Sequence, residues 1–81
     1  MQLIDSIRTI IDQELFALGP EIGDDDDLYA EGLDSMALMQ LILILEREFG
    51  ITITPEDLSR GNFATLTNLT AFVAGKQTTA T

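Results

Sequence analysis

Leu3, Ile4, Ile7, Ile10, Ile11, Leu15 and Leu18 recur at the spacing that puts side chains on one face of an α-helix. Gly19 and Pro20 come next. Glycine serves as a left-handed cap and proline cannot continue a helix, so the pattern predicts a first helix over about 2–18. Residues 19–34 carry no helical spacing and include the run Asp24-Asp25-Asp26-Asp27. A loop of this length in a small domain is usually functional or disordered. Leu28 and Tyr29 are the residues expected to fold back and anchor it on the core. The apolar spacing resumes at once and predicts a second helix over 35–49, ended by Gly50. Ile51 and Ile53 alternate with threonine, but that stretch is too short and isolated to build a sheet. Thr54-Pro55-Glu56-Asp57 reads as a helix start, with a threonine cap, proline in the first turn and acids facing the helix dipole. It predicts a short helix over about 55–60, stopped near Gly61. Thr65 is placed to cap a last helix with Leu66, Leu69, Phe72 and Val73 on its apolar face, ending near Gly75. The expected fold is all-α, a small bundle of three main helices and one short one, with residues 1–75 as the domain and 76–81 as a flexible polar tail.

The second helix carries more apolar residues than one buried face needs. At about 100° per residue, Leu38, Leu41, Ile42, Leu45 and Phe49 form one stripe, the natural core face. Met36, Met39, Gln40, Leu43 and Arg47 form another, where a surface helix should be polar. Either the helix is central and both stripes are buried, or the second stripe is exposed and docks partners. Methionine suits docking because its flexible thioether adapts to differently shaped surfaces. A bundle of 81 residues has few elements with which to cover both faces, which favours docking.

Composition narrows the function. An 81-residue chain is one small domain that buries only roughly 60% of its unfolded surface. Its 46% apolar content suffices for one core and argues against disorder. There is no cysteine and no histidine, so thiolate chemistry and the commonest neutral-pH base and metal ligand are absent. The chain is a poor candidate for an enzyme. Its net charge of −10, with only Arg8, Arg47, Arg60 and Lys76 basic, would repel nucleic acid and anionic membranes and steer toward it partners with basic surfaces. The longest apolar run, residues 36–45, is about half of what a membrane-crossing helix needs, and no basic segment of a signal peptide precedes it. A cytoplasmic monomer is expected, with no membrane insertion. Met1 and the short polar tail favour an independent protein.

Ser35 stands in Gly32-Leu33-Asp34-Ser35-Met36, between the acidic loop and the second helix. Serine and aspartate are both preferred helix caps, so either Asp34 or Ser35 has an ordinary structural role available. If Asp34 is the cap, the Ser35 hydroxyl points outward from the first turn. A phosphate ester there would sit beside unpaired N–H groups and the positive end of the dipole. Gly32 removes side-chain bulk from the approach. A catalytic serine needs a neighbouring base and an oxyanion hole, and no histidine or nearby lysine is present, so no catalytic residue is assigned. The aspartate run does not fit a calcium loop. Counted from Asp24 the required positions fall on Leu28, Tyr29 and Ser35, and counted from Asp25 they fall on Tyr29 and Ala30. No metal site is assigned, and a solvated loop is the reading.

Asp27-Leu28-Tyr29, Gly32-Leu33-Asp34-Ser35-Met36, residues 41–45 and Glu46-Arg47-Glu48-Phe49-Gly50 together resemble the acyl carrier protein superfamily, which includes peptidyl carrier domains. The resemblance runs over about residues 3–74. It implies a small four-helix bundle of the acyl-carrier type with 4′-phosphopantetheine at Ser35. A phosphopantetheinyl transferase would install the arm from coenzyme A with magnesium, and the arm's thiol would hold a cargo as a thioester. A tether raises the cargo's effective concentration at each partner site. Gly32, Leu33, Asp34 and Met36 match positions that the family shows to the transferase and other enzymes. Fatty-acid carriers usually have an acidic second helix, and Gln40 and Arg47 depart from that. The Asp-Ser-Met start and the segment 58–65 look closer to stand-alone D-alanine and aminoacyl carriers.

The expected function is a stand-alone carrier of an aminoacyl or acyl group, docking through Met36, Met39, Gln40, Leu43 and Arg47. Its partners would be an adenylate-forming ligase or other acyl-loading enzyme and a downstream acyl or aminoacyl transferase. A fatty-acid or polyketide carrier is one alternative. An acidic helical interaction module with no prosthetic group is another.

Overall fold

The computed structural model describes residues 2–79, and all their regular structure is helical. Five α-helices occur among them: α1 (Leu3–Glu14), α2 (Leu28–Glu31), α3 (Ser35–Phe49), α4 (Arg60–Phe63) and α5 (Leu66–Thr79), with a 3₁₀ turn at Pro55–Asp57. Three are long, as expected. Ile7 and Ile11 of α1, Leu41 and Leu45 of α3, and Leu66, Leu69 and Val73 of α5 are fully enclosed together with Leu28 and Phe63. α5 packs chiefly on α1 and α4, and less extensively on α3. Phe63 and Phe72 meet at 5.5 Å between ring centroids, tilted by 55°, a geometry that suits the ring quadrupoles.

The first helix is shorter than its apolar spacing. It ends at Glu14, not near residue 18. Leu15 and Phe16 both turn their N–H groups onto the carbonyl of Ile11 at 3.0 Å. The Asp12 carboxylate then takes the N–H of Leu18 at 2.7 Å. A short acidic side chain that bonds nearby backbone offers the chain an alternative to the helix ladder. Leu18 is buried all the same, so the spacing marked burial correctly and conformation incorrectly. Gly19 is not a left-handed cap. The glycines with positive φ among the described residues are Gly32 and Gly50, and Gly50, at φ 63°, closes α3 with its N–H on the carbonyl of Glu46.

The stretch after α3 also differs in detail. The predicted helix over 55–60 is a 3₁₀ turn followed by the separate α4, in which Gly61 is an interior residue and not a stop. Ser59 starts α4 by accepting the N–H of Asn62 at 3.4 Å. Thr65 caps α5 as expected, with its hydroxyl accepting the N–H of Asn68 at 3.0 Å.

The last helix does not end at Gly75 but runs on to Thr79, while Ala80 and Thr81 lie outside the described residues. Just past Gly75, Lys76 ties α5 back to the 3₁₀ turn. Its Nζ lies 2.6 Å from Oδ2 of Asp57, which also accepts the N–H of Thr54 at 2.9 Å and its hydroxyl at 3.0 Å. One carboxylate thus starts the 3₁₀ turn and holds the end of α5. The hydrogen bond from Lys76, followed by the backbone bond from Thr54, holds the Asp57 carboxyl below its ordinary value.

Candidate functional site

Ser35 is the first residue of α3, and the cap belongs to its neighbour. Asp34 is extended, and its Oδ1 accepts the N–H of Ala37 at 2.9 Å while its carbonyl accepts the N–H of Leu38 at 2.8 Å. Ser35 is exposed. Its hydroxyl makes no hydrogen bond among the described residues, and the N–H groups of Ser35 and Met36 are unpaired as well. Two donors at the positive end of a helix of 15 residues therefore flank a free hydroxyl.

The chain reaches Ser35 through a sequence of tight turns. Asp27 caps α2 through the N–H of Tyr29 at 3.0 Å. The N–H groups of Gly32 and Leu33 both return to the carbonyl of Leu28, at 3.2 and 3.1 Å, and the N–H of Asp34 returns to the carbonyl of Gly32 at 2.9 Å. Gly32 takes φ 140°, where an L side chain is strained. A side chain there would also press on the ring of Phe16, whose Cγ lies 3.1 Å from the position of a Cβ and would have to give by a few tenths of an ångström.

The acidic loop is anchored from three helices. Arg8 of α1 donates to the carbonyl of Ile22 at 2.6 Å and to Oδ1 of Asp24 at 3.2 Å. Thr67 of α5 bonds the carbonyl of Asp24 through its N–H at 3.0 Å and its hydroxyl at 3.3 Å. Leu28, fully buried, donates its N–H to the carbonyl of Ala64 at 2.7 Å, and Arg60 of α4 lies 4.0 Å over the ring of Tyr29. No group of three or more acidic, histidine or cysteine side chains suited to a metal occurs among the described residues.

The two stripes of α3 part as their spacing suggested. Leu41, Ile42 and Leu45 are buried, with Leu38 and Phe49 packed at the edge of the core. Met36, Met39 and Leu43 are 75%, 58% and 62% exposed, and Gln40 and Arg47 are exposed beside them. Gly32 and Asp34 are exposed too, whereas Leu33 is not. At 2% exposure the Leu33 side chain belongs to the core and not to that surface. Arg47 pairs with Glu48 at 3.3 Å, an exposed pair worth little to stability. Arg8, Phe16, Ala64 and Thr67 were not among the sequence-predicted site residues. Three of them act through the backbone of a loop, and no spacing rule in the sequence marks that.

The arrangement is an exposed hydroxyl at the start of α3, without a hydrogen-bond partner among the described residues and beside an exposed apolar stripe. A sequence model of the phosphopantetheine attachment site matches residues 5–73. The chain belongs to that family. The prosthetic group of the family is a covalently attached 4′-phosphopantetheine, and its carrier domains are not catalytic. This carrier is similar to a carrier protein from Agrobacterium tumefaciens, solved in complex with ATP and an engineered glycine:[carrier protein] ligase of Bradyrhizobium japonicum. The two share 31% identity and a TM-score of 0.75 over 90% of this chain and 97% of that one. It is also similar to a glycylated carrier protein in complex with the Bradyrhizobium japonicum ligase, at 27% identity and a TM-score of 0.66, over 86% of this chain and 92% of that one. No curated protein matches the chain. No helix among the described residues is long and apolar enough to cross a membrane.

Proposed function

We propose that Ser35 is the attachment point of the arm, and that the carrier holds an aminoacyl group and passes it from a loading ligase to an acceptor transferase in the cytoplasm. The observation that carries this reading is the free Ser35 hydroxyl at the start of α3, with the cap on Asp34 and the N–H groups of Ser35 and Met36 unpaired. These residues fit a phosphodiester. Both N–H groups can donate to its oxygens, and its charge meets the positive end of the helix. When bound, the arm supplies the thiol that a cysteine-free chain lacks.

The docking face is the stripe of Met36, Met39, Gln40, Leu43 and Arg47, with Gly32, Asp34 and the backbone of Leu33 at its edge. The first acid of α3 is Glu46. A partner meeting the stripe near Ser35 therefore needs apolar contact there and basic groups only toward the acidic loop. The likeness to carriers solved with a glycine ligase supports an amino-acid cargo.

The test offers the arm-bearing protein, with ATP, to a glycine ligase of the matched kind and to a fatty-acyl ligase. The expected product is an aminoacyl thioester, seen as an added mass that hydroxylamine removes. Efficient loading of a fatty chain with none of the amino acid would replace the amino-acid cargo by the fatty-acid alternative.

A further inference from the structure

Phe16 falls outside the apolar spacing of α1, and its ring closes on the turn that delivers Ser35. The placement depends on the early end of α1. The N–H of Phe16 takes the carbonyl of Ile11 at 3.0 Å, and the bond from Leu18 to Asp12 bends the following residues back. The ring is partly buried at the edge of the core. It lies where a side chain on Gly32 would project, 3.1 to 3.4 Å from an added Cβ.

The three residues before Ser35 are each held differently. Leu33 is held by its buried side chain and Asp34 by its bond to Ala37. Gly32 has no side chain, and it occupies a φ of 140° in the residue type with the widest conformational freedom. Its backbone is bonded through its N–H to Leu28 and through its carbonyl to Asp34, and the side chain packed where its own would stand is Phe16.

We propose that Phe16 is a positioning residue for the modification of Ser35, a role that rests on Ser35 being the attachment site. The ring keeps the turn over residues 32–34 in the one arrangement that presents the hydroxyl. Without it the turn samples other arrangements, and the transferase meets a competent turn only part of the time. That lowers apparent affinity by the competent fraction and leaves the bound complex unchanged. The signature is a raised KM for the apo carrier at nearly constant kcat.

The experiment compares apo wild-type protein with Phe16→Ala and Phe16→Leu. It measures transfer from coenzyme A by a phosphopantetheinyl transferase and amide hydrogen exchange in the absence of transferase. For Phe16→Ala the expected result is about a tenfold rise in KM, corresponding to a turn competent about a tenth of the time. Exchange should quicken at Gly32, Leu33 and Asp34 while Leu69 and Val73 keep their protection. Phe16→Leu should recover part of the KM.

Wild-type KM in the variants, or exchange that rises equally in α5, overturns the role of Phe16. If Phe16→Ala does not fold, Phe16→Leu decides the matter by the same criteria. Failure of wild-type protein to accept the arm overturns the Ser35 reading itself, a result distinct from equal loading of wild type and variants.

Discussion

Asp34 Oδ1 accepts the backbone N–H of Ala37 at 2.9 Å, so the residue before Ser35, and not Ser35, caps α3. Asp34→Ala should therefore cost about 1 kcal/mol of stability, the usual worth of a cap. Asp34→Asn keeps an acceptor and should cost much less. Ser35→Ala removes no bond and should stay within about 0.5 kcal/mol of wild type. Urea midpoints measure all three. A Ser35→Ala loss as large as that of Asp34→Ala would return the capping role to the serine.

The exposed stripe makes a second prediction. Met39→Glu and Leu43→Glu replace side chains that are 58% and 62% exposed, so folding should be nearly unchanged. Loading by the ligase should weaken by tenfold or more, since an apolar docking contact typically carries on the order of 1–2 kcal/mol. Circular dichroism and loading kinetics separate the two effects. Unfolding of either variant would mean that the stripe is core.

The interior makes the opposite prediction. Phe63 is fully buried against Phe72, and Phe63→Ala should cost about 3–5 kcal/mol. A domain of this size has on the order of 4–12 kcal/mol in all, so the variant should lose a large share of its stability and melt well below wild type. A melting temperature close to wild type would show that α4 contributes little to the core.

The sequence made the long helices legible because each repeats its apolar spacing over two turns or more. The two stripes of α3 follow from spacing, the exposure of the second from the small number of elements available to cover it, and the break after Phe49 from Gly50. The short elements were not legible in the same way. α2 is a single turn set by Asp27 and Gly32, and no period can be read in four residues. The end of α1 is decided by a competing bond from Asp12, which leaves the apolar spacing intact while changing the backbone. α5 continues past Gly75, where Lys76 reaches Asp57, a contact between residues remote in sequence. Ser35 stood out by its position between loop and helix. The anchors of its loop, Arg8 and Thr67, meet backbone carbonyls that carry no sequence signature.

The contact between Lys76 and Asp57 makes a pH-dependent prediction. The folded state holds the Asp57 carboxyl below its ordinary value, chiefly through Lys76 and then through Thr54. The stabilisation is therefore present above the unfolded value and is lost as pH falls through the folded one. The stability difference between wild type and Asp57→Asn should be constant above about pH 5 and shrink below about pH 4. Denaturant midpoints across that range give the difference directly. A difference that stays level to the lowest pH would show that the ion pair does not hold the end of α5.

The central claim is that the exposed, unbonded hydroxyl of Ser35 is the point of attachment. The most direct measurement is the intact mass of the apo protein after incubation with coenzyme A, magnesium and a phosphopantetheinyl transferase. The account predicts the added mass of one phosphopantetheine on the wild-type chain and none on Ser35→Ala, with both proteins folded. No gain on wild type, or an equal gain on Ser35→Ala, would contradict it.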